Sequence, residues 1–143
     1  ASGKHLCVTV TLVDGIVLAR SAFHHSMNYR SVVIYGEARA VTERAEKIAV
    51  SDALVNRFAP GRAELARRPN DLELKATLML ALPIHESSAK MRTGGPIDDE
   101  EDLALPVWAG VVPVALHTLA PITAEPTSPE LAPPTLGVGL SPR

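Results

Sequence analysis

A short polar segment with several side chains able to bind a ligand, FHHSMNYRS at residues 23–31, lies between two apolar stretches. Its candidate ligand-binding residues are His25, Ser26, Asn28, Tyr29, Arg30 and Ser31. Guanidinium and hydroxyl groups donate hydrogen bonds to a phosphate or a heteroaromatic carbonyl, and a tyrosine ring offers a flat apolar surface. The segment therefore predicts a site for a polar ligand. A solvated crossover between two strands is the alternative that the spacing leaves open.

Two further cations, Lys90 and Arg92, occupy alternate positions in the segment at residues 88–96. On an extended strand, alternate side chains point to the same side, so both could bind one anion. Trp108 is the only tryptophan and lies in an apolar stretch. Packing in a core or an interface is its more common role there than serving as a ligand platform.

Metal-ligating residue types occur at His24 and His25 and in the acidic run at residues 98–102. Neighbouring residues on a strand point to opposite faces, so the two histidines do not share a metal ion unless a third ligand lies nearby. Consecutive carboxylates also diverge and usually face water. The sequence therefore predicts no metal site. Cys7, with apolar neighbours in a strand pattern, is predicted to be a small core residue and not a nucleophile.

Composition excludes several classes of protein. The chain has 143 residues, of which 46% are hydrophobic and 21% charged, and its net charge is −2, which fits one compact domain. Near-neutral charge and few aromatic residues argue against nucleic-acid binding. No apolar run reaches the roughly 18 residues of a membrane helix, and the GxGxxG, GxxxxGK and GxSxG motifs are absent. We expect a cytoplasmic protein that acts on a small molecule, with no membrane or nucleic-acid partner.

The elements that position these residues begin with strands. From His5 to Val13 the side chains alternate with a period of two, which is typical of a strand. Asp14-Gly15 is a favoured hairpin turn, so it predicts a second strand at residues 16–23. A third strand is predicted at residues 31–41, with Gly36 where a bulge or bend would fit. Together they predict a three-stranded antiparallel meander.

One amphipathic helix follows, with Thr42 as its N-cap and Pro60-Gly61 at its end. Residues 61–71 are predicted to be a polar connection. Residues 73–86 are largely apolar and are interpreted as a strand, although their Leu, Ala and Met content also fits a helix.

The remaining chain is predicted to contain one more strand. Residues 87–102 are loop-like, and residues 105–116 fit a short strand in which Pro113 lies at a sheet edge. Half of the twelve prolines fall at or after Pro121, so the tail is predicted to be extended or disordered. The order of elements favours an antiparallel sheet or barrel with a packed helix over a doubly wound parallel sheet.

Three segments, taken in order, carry a family resemblance: FHHSMNYRSVVIYGEA, SAKMRTGGPIDDEED and LPVWAGVVP. They resemble the flavin-nucleotide-binding branch of the pyridoxamine 5′-phosphate oxidase-like split-barrel family, which is akin to the nitroimidazole-resistance proteins. The similarity runs from about His5 to Val114. Its most specific part is the Y-x-S-V core at residues 29–32, followed by Gly36.

This resemblance implies a mostly β (α+β) fold, an antiparallel split β-barrel with one or two packed helices. It also implies a homodimer that holds FMN in a cleft between the subunits. The implied cofactor-binding residues are His25, Ser26, Asn28, Tyr29, Arg30 and Ser31, with Lys90 and Arg92 as further contributors. The flavin ring would carry the chemistry, and no catalytic acid or base is implied.

Family members have further strands and a basic, Gly/Ser-rich segment before the position of His5, and that segment supplies much of the phosphate contact. We therefore expect a chain truncated at its N-terminus, with an FMN-binding split-barrel domain at residues 1–120 and a proline-rich tail at residues 121–143. The implied function is FMN-dependent oxidation or reduction of a small heteroaromatic substrate. A deazaflavin or haem in the same cleft, and a flavin-free dimeric interaction module, are the alternatives.

Overall fold

The computed structural model describes residues 4–128 and 130–136, and it contains strands, α-helices and short 3₁₀ turns. The strands are β1 (Lys4–Leu18), β2 (Ser26–Ala40), β3 (Leu80–Ala81), β4 (Glu86–Arg92) and β5 (Gly110–Pro113). The helices are α1 (Arg44–Phe58), α2 (Arg62–Leu65) and α3 (Asp71–Ala76), and the 3₁₀ turns span Ala22–His24 and Glu100–Asp102. Every strand pairing is antiparallel, which confirms the predicted α+β class with an antiparallel sheet.

The described residues divide into two compact units. The first comprises residues 4–38 and 82–116 and holds β1, most of β2, β4 and β5. The second comprises residues 39–81, 117–128 and 130–136 and holds the three helices, β3 and the end of β2. The predicted boundary at residue 120 stays a prediction.

Four strands of the first unit pair in the order β4, β2, β1, β5. β1 and β2 pair along almost their whole length, and β4 pairs with the other side of β2. β5 pairs with the end of β1, and β1 is its only strand neighbour among the described residues. Pro113 therefore lies at an edge as predicted, where its missing N–H breaks no ladder.

The predicted hairpin at Asp14-Gly15 is wrong, because β1 runs through this pair without turning. The register against β2 shifts between Val13 and Gly15, so Asp14 is the extra residue of a β-bulge. Gly15 also lacks the positive φ that a type I′ turn requires. Its missing side chain instead makes room for β5, since a Cβ there would lie 2.9 Å from Val111 Cγ1 and 3.3 Å from the Val112 carbonyl oxygen.

The polar segment predicted as a loop lies mostly in β2, which begins at Ser26. Residues 19–25, including the first 3₁₀ turn, join β1 to β2, so two long strands replace the predicted three-stranded meander. β2 pairs with another strand on each side, and this pairing keeps its polar residues in an extended conformation. The polarity of these residues alone does not indicate a strand. Gly36 pairs in regular register with Leu6 and marks no bulge, and a Cβ there would lie 3.1 Å from Leu82 Cδ1.

The predicted helix is confirmed as α1, which ends at Phe58, just before Pro60-Gly61, but its apolar residues do not form the distinct buried face of an amphipathic helix. Its N-cap is Glu43 and not the predicted Thr42, and Glu43 makes no side-chain capping hydrogen bond. None of the α1 side chains is fully buried. Within the described part of the chain, no helix is long and apolar enough to cross a membrane.

Residues 73–86 were predicted to be a strand, but the range begins inside α3 and contains only β3 and the first residue of β4 as strand. α3 forms because Asn70 and Glu73 make a capping box. Asn70 Oδ1 accepts from the Glu73 N–H at 3.0 Å, and the Asn70 N–H donates to Glu73 Oε2 at 2.7 Å. The polar connection predicted at residues 61–71 likewise contains α2 and the start of α3.

The structure also corrects the later predictions for the first unit. Residues 87–92, predicted as a loop, belong to β4, and residues 105–109 and 114–116 lie outside β5. β4 is polar and mostly exposed, so it lacks the apolar alternation by which a strand is recognised in a sequence. Its pairing with β2 makes it a strand.

Few side chains are fully buried. The buried hydrophobic residues are Val17 and Ala19 in the first unit and Val41, Ala59, Ala63 and Leu74 in the second. Cys7, predicted as a core residue, is exposed and lies opposite Tyr35 in β2. The Cys7 thiol beside the Tyr35 hydroxyl raises the pKa of Tyr35.

Replacing Gly15 by alanine is expected to lower the free energy of unfolding by about 1–3 kcal/mol, because the new methyl group overpacks against β5. Chemical denaturation followed by circular dichroism measures the change. Gly95→Ala is the matched control, since nothing lies within 4 Å of a Cβ at Gly95. A Gly15→Ala variant as stable as the wild type would contradict the close approach of β5.

The pKa of Glu73 is lowered from 4.5 to about 2, first by its hydrogen bond from Arg67 and then by the Asn70 N–H. A carboxyl group whose pKa falls on folding stabilises the protein above its unfolded pKa, and this stabilisation is lost as the pH drops through the folded value. We therefore expect Glu73→Gln to lower the thermal unfolding midpoint at neutral pH, with the difference shrinking between pH 4.5 and about pH 2. Thermal scans at several pH values measure it, with Glu37→Gln as control. A difference that does not change with pH would contradict this role.

Candidate functional site

Three strands bring polar side chains together on one face of the sheet. Ser31 in β2 lies directly opposite Thr11 in β1 and directly opposite Lys90 in β4. Residues that pair across strands share a face, and so do residues two apart along one strand. Tyr29 and Arg92 pair with each other and therefore belong to the same face. We call Thr11, Tyr29, Ser31, Lys90 and Arg92 the polar face.

The centre of the polar face is a pair of hydroxyl groups beside an ammonium group. Ser31 Oγ and Thr11 Oγ1 are 2.8 Å apart, and either can be the donor. Lys90 is exposed, and no residue that the structure describes forms a hydrogen bond or an ion pair with its ammonium group. An ammonium group with all its donors available, next to two hydroxyls, can bind an anion such as a phosphate through charge-assisted hydrogen bonds.

Arg92 is half-buried at the end of the polar face and is held in place by two side-chain hydrogen bonds. Its Nη1 donates to Asn28 Oδ1 at 2.7 Å, and its Nη2 donates to the Gly95 carbonyl oxygen at 3.1 Å. Asn28 Nδ2 donates in turn to the Gly94 carbonyl oxygen at 3.0 Å. Gly94 has a φ of 106°, in the region that favours glycine, so the turn after β4 depends on it. Asn28 and Arg92 therefore form one pre-oriented polar unit at the end of β4. Asn28 is adjacent to Tyr29 along β2, so alternation does not place Asn28 itself on the polar face.

Arg30 lies on the opposite face of the sheet. Its Nε donates to Asp14 Oδ2 at 2.9 Å and its Nη2 donates to Asp14 Oδ1 at 2.7 Å. This bidentate pair lowers the pKa of Asp14 and raises the pKa of Arg30. The β-bulge thus places the Asp14 carboxylate where it can engage Arg30, and the guanidinium is held away from the polar face.

His25 and Ser26 lie at the start of β2. His25 precedes the strand and is exposed, and its Nδ1 is 3.0 Å from the Ser21 carbonyl oxygen. Ser26 is the first residue of the strand, about 17 Å along it from Ser31. The structure therefore does not bring these two residues to the centre of the polar face. The cofactor-binding role of the eight residues singled out from the sequence stays a prediction.

Sequence reasoning did not single out Thr11 or Asp14. For Thr11 a signal exists, because the alternation of β1 places it on one face with Cys7 and Thr9, which makes that face half polar. For Asp14 the signal was misleading, since an Asp-Gly pair indicates a turn. Its contact with Arg30 depends on strand pairing that sequence spacing does not reveal.

Trp108 packs against the backbone and not into a core. A Cβ at Gly110 would lie 2.8 Å from Trp108 Cζ2, so the indole ring rests directly over this glycine. The side chain is otherwise open, with the residue 64% exposed. Gly110 is therefore required for the position of the ring.

Comparisons with known proteins give matches to a family and to solved structures. A family model described as pyridoxamine 5′-phosphate oxidase matches residues 1–91. Among solved structures, the chain is similar to the flavocytochrome Anf3 from Azotobacter vinelandii and to an FAD- and haem-binding protein from Mycobacterium smegmatis. Each is 40% identical to this chain, with a TM-score of 0.84. None of the curated proteins matches the chain.

Both structural matches cover 92% of this chain, but they cover 61% of the Azotobacter protein and 65% of the Mycobacterium protein. The chain therefore spans less than two thirds of the length of these two relatives. Over the shared part, the similarity confirms the predicted α+β split-barrel fold class.

Proposed function

We propose that this chain, which belongs to the pyridoxamine 5′-phosphate oxidase family, binds a flavin nucleotide on its polar face and acts as a flavin-dependent oxidoreductase. The observation that carries the proposal is the register that places Thr11, Ser31 and Lys90 side by side across three strands. The names of the two structural relatives, a flavocytochrome and an FAD- and haem-binding protein, support the choice of cofactor.

The donor set of the polar face fits the chemistry of a flavin nucleotide. Lys90 and the hydroxyls of Ser31 and Thr11 offer donors to an anionic phosphate. Tyr29 offers an aromatic surface to a flat ring, and Arg92 opposite it offers N–H donors to ring carbonyl groups. Arg30 is left out of the proposed surface because Asp14 engages it on the other face.

The identity of the flavin is part of the proposal. The sequence resemblance implies FMN, whereas the Mycobacterium relative is described as binding FAD and haem. FMN and FAD share the ring, the ribityl chain and the first phosphate, so one polar face could accept either. Haem is the second candidate, and it takes an axial ligand such as histidine, cysteine or tyrosine. Tyr29 is the one residue of the polar face of these types, and the hydroxyl and ammonium donors beside it favour a flavin phosphate there.

The bound flavin ring would supply the redox chemistry, while the protein binds and orients it. On this proposal the residues of the polar face act as cofactor ligands, and none is assigned as a catalytic acid or base. A small heteroaromatic compound is the proposed substrate class, taken from the same resemblance.

We also infer that the protein is a homodimer, and that its subunits associate through the face of the sheet that does not bind the flavin. Supporting this, the sheet face opposite the polar face carries large apolar side chains that are partly open to solvent: Val8 (40% exposed), Val10 (59%), Val32 (39%) and Met91 (69%). We call these four residues the apolar face. Contiguous apolar surface of this kind is typical of an interface, and a second copy is the partner that the resemblance implies.

Flavin binding is tested by titrating the flavin-free full chain with FMN and with FAD and measuring the dissociation constant by calorimetry. The double variant Ser31→Ala/Lys90→Gln is expected to bind at least about tenfold more weakly, because a lost hydrogen bond to a charged group costs about 1.5–3 kcal/mol. The matched control is Ser87→Ala/Lys75→Gln, which changes an exposed serine of the opposite face and a lysine of α3.

Either of two results would contradict the proposal: no saturable binding of FMN or FAD, or equal affinity in the two double variants. A haem Soret band that depends on Ser31 and Lys90, without flavin binding, would assign the polar face to haem instead.

Dimerisation is tested by sedimentation velocity over a range of concentrations. The wild type is expected to be a dimer, and Val10→Lys is expected to raise the dissociation constant at least tenfold by placing a charge in the apolar face. Val50→Lys is the matched control, since Val50 is a partly exposed valine of α1. A wild type that stays monomeric at every concentration would contradict the inference.

A further inference from the structure

Two segments that are remote in the sequence meet in the first unit. The first 3₁₀ turn carries His24, and the acidic run at residues 98–102 carries Asp99 and Asp102. One ligand atom from each of these three residues lies within 4.8 Å of the other two, and His24 Nε2 is 3.9 Å from Asp99 Oδ2. We propose that His24, Asp99 and Asp102 bind a first-row divalent transition-metal ion such as Zn²⁺, a site separate from the proposed flavin function.

The second 3₁₀ turn brings the two carboxylates to one side. Asp99 is the N-cap of this turn, and the Asp102 N–H donates to the Asp99 carbonyl oxygen at 3.0 Å. Side chains three residues apart eclipse each other in a 3₁₀ turn. The sequence argument that consecutive carboxylates diverge therefore does not apply to this pair, because they are not consecutive.

A partly buried ion pair fixes the acidic run beside His24. The Arg20 N–H donates to Asp98 Oδ1 at 2.8 Å, and Arg20 Nη1 donates to Asp98 Oδ2 at 2.7 Å. The Asp98 side chain is only 2% exposed, so this contact is well sheltered from water. Arg20 lies just before the first 3₁₀ turn and Asp98 just before Asp99, so one double hydrogen bond positions both parts of the proposed site.

Other side chains compete little for the three proposed ligands, and the His24 ring contacts only the Phe23 ring, with centroids 5.9 Å apart, among the ring contacts of the described residues. In the part of the chain that the structure describes, neither Asp99 nor Asp102 accepts a side-chain hydrogen bond, whereas Asp14 and Asp98 are each held by an arginine. His24 Nδ1 is buried and also has no hydrogen-bond partner. Nε2, the other ring nitrogen, is the one that lies 3.9 Å from Asp99 Oδ2, and it is the atom proposed to bind the ion.

The ligand set selects the class of ion. One imidazole and two carboxylates suit Zn²⁺, Mn²⁺ or Co²⁺, whereas Mg²⁺ and Ca²⁺ take oxygen ligands. Bonds of about 2.0–2.2 Å from a shared ion place ligand atoms roughly 3–3.5 Å apart, so binding would draw the cluster slightly together. Three protein ligands also leave a position for water or a further ligand.

The test uses the full chain without an affinity tag, freed of metal with a chelator. Calorimetry with Zn²⁺ and absorption spectroscopy with Co²⁺ are expected to show one ion bound per chain, and Asp99→Asn/Asp102→Asn and His24→Gln are each expected to weaken binding at least tenfold. The matched controls are Glu100→Gln/Glu101→Gln and His85→Gln, which change neighbouring carboxylates and another histidine of the first unit. Both controls are expected to stay within twofold of the wild type.

Three results would overturn the proposal. They are the absence of saturable Zn²⁺ and Co²⁺ binding, an equal loss in the controls, and displacement of Co²⁺ by equimolar Mg²⁺. Circular dichroism of the variants separates loss of the site from loss of the fold, and if His24→Gln is misfolded, the carboxylate double variant decides, because Asp99 is exposed and Asp102 partly so.

Discussion

The register of β2 against its two neighbours is the constraint on which the rest of the structure depends. Ser31 has Thr11 on one side and Lys90 on the other only because β1 and β4 pair with β2 in these registers. A slip of one residue in either pairing would turn the polar side chains of that strand to the opposite face. The bulge at Asp14 comes after Thr11 in β1, so the shift in register leaves the pair of hydroxyls intact.

The same alternation separates two kinds of surface. The polar face offers donors and one available ammonium group, whereas the apolar face offers partly exposed valine and methionine side chains. Arg30 lies on the side of the apolar face, where its charge is balanced by Asp14. One sheet thus provides a surface for a charged ligand and a separate surface for association, which is why the flavin and homodimer proposals do not compete for the same residues.

Local patterns in the sequence predicted the strands and helices that are determined by interactions between residues close together in the chain. The period of two from His5 to Val13 predicted most of β1, and the helical spacing predicted α1. The capping-box pattern of Asn70 and Glu73 was also present in the sequence and could have predicted α3. The motif Asp14-Gly15 misled because strand pairing and the close approach of β5 override its turn preference. β4 was missed because only its pairing with β2 makes it a strand.

The candidate site was predictable in part for the same reason. Alternate spacing placed Lys90 and Arg92 on one side of an extended segment, as β4 does. Lys90 lies beside Ser31, and His24 lies beside Asp99, although the residues of each pair are more than fifty positions apart in the sequence. Residue spacing does not indicate contacts between such distant segments.

The most direct test of flavin binding on the polar face is a crystal structure of the full chain with FMN or FAD bound. The account predicts a flavin over the polar face with a phosphate oxygen hydrogen-bonded to Lys90, and a flavin bound on the side of Arg30 and Met91 would contradict it.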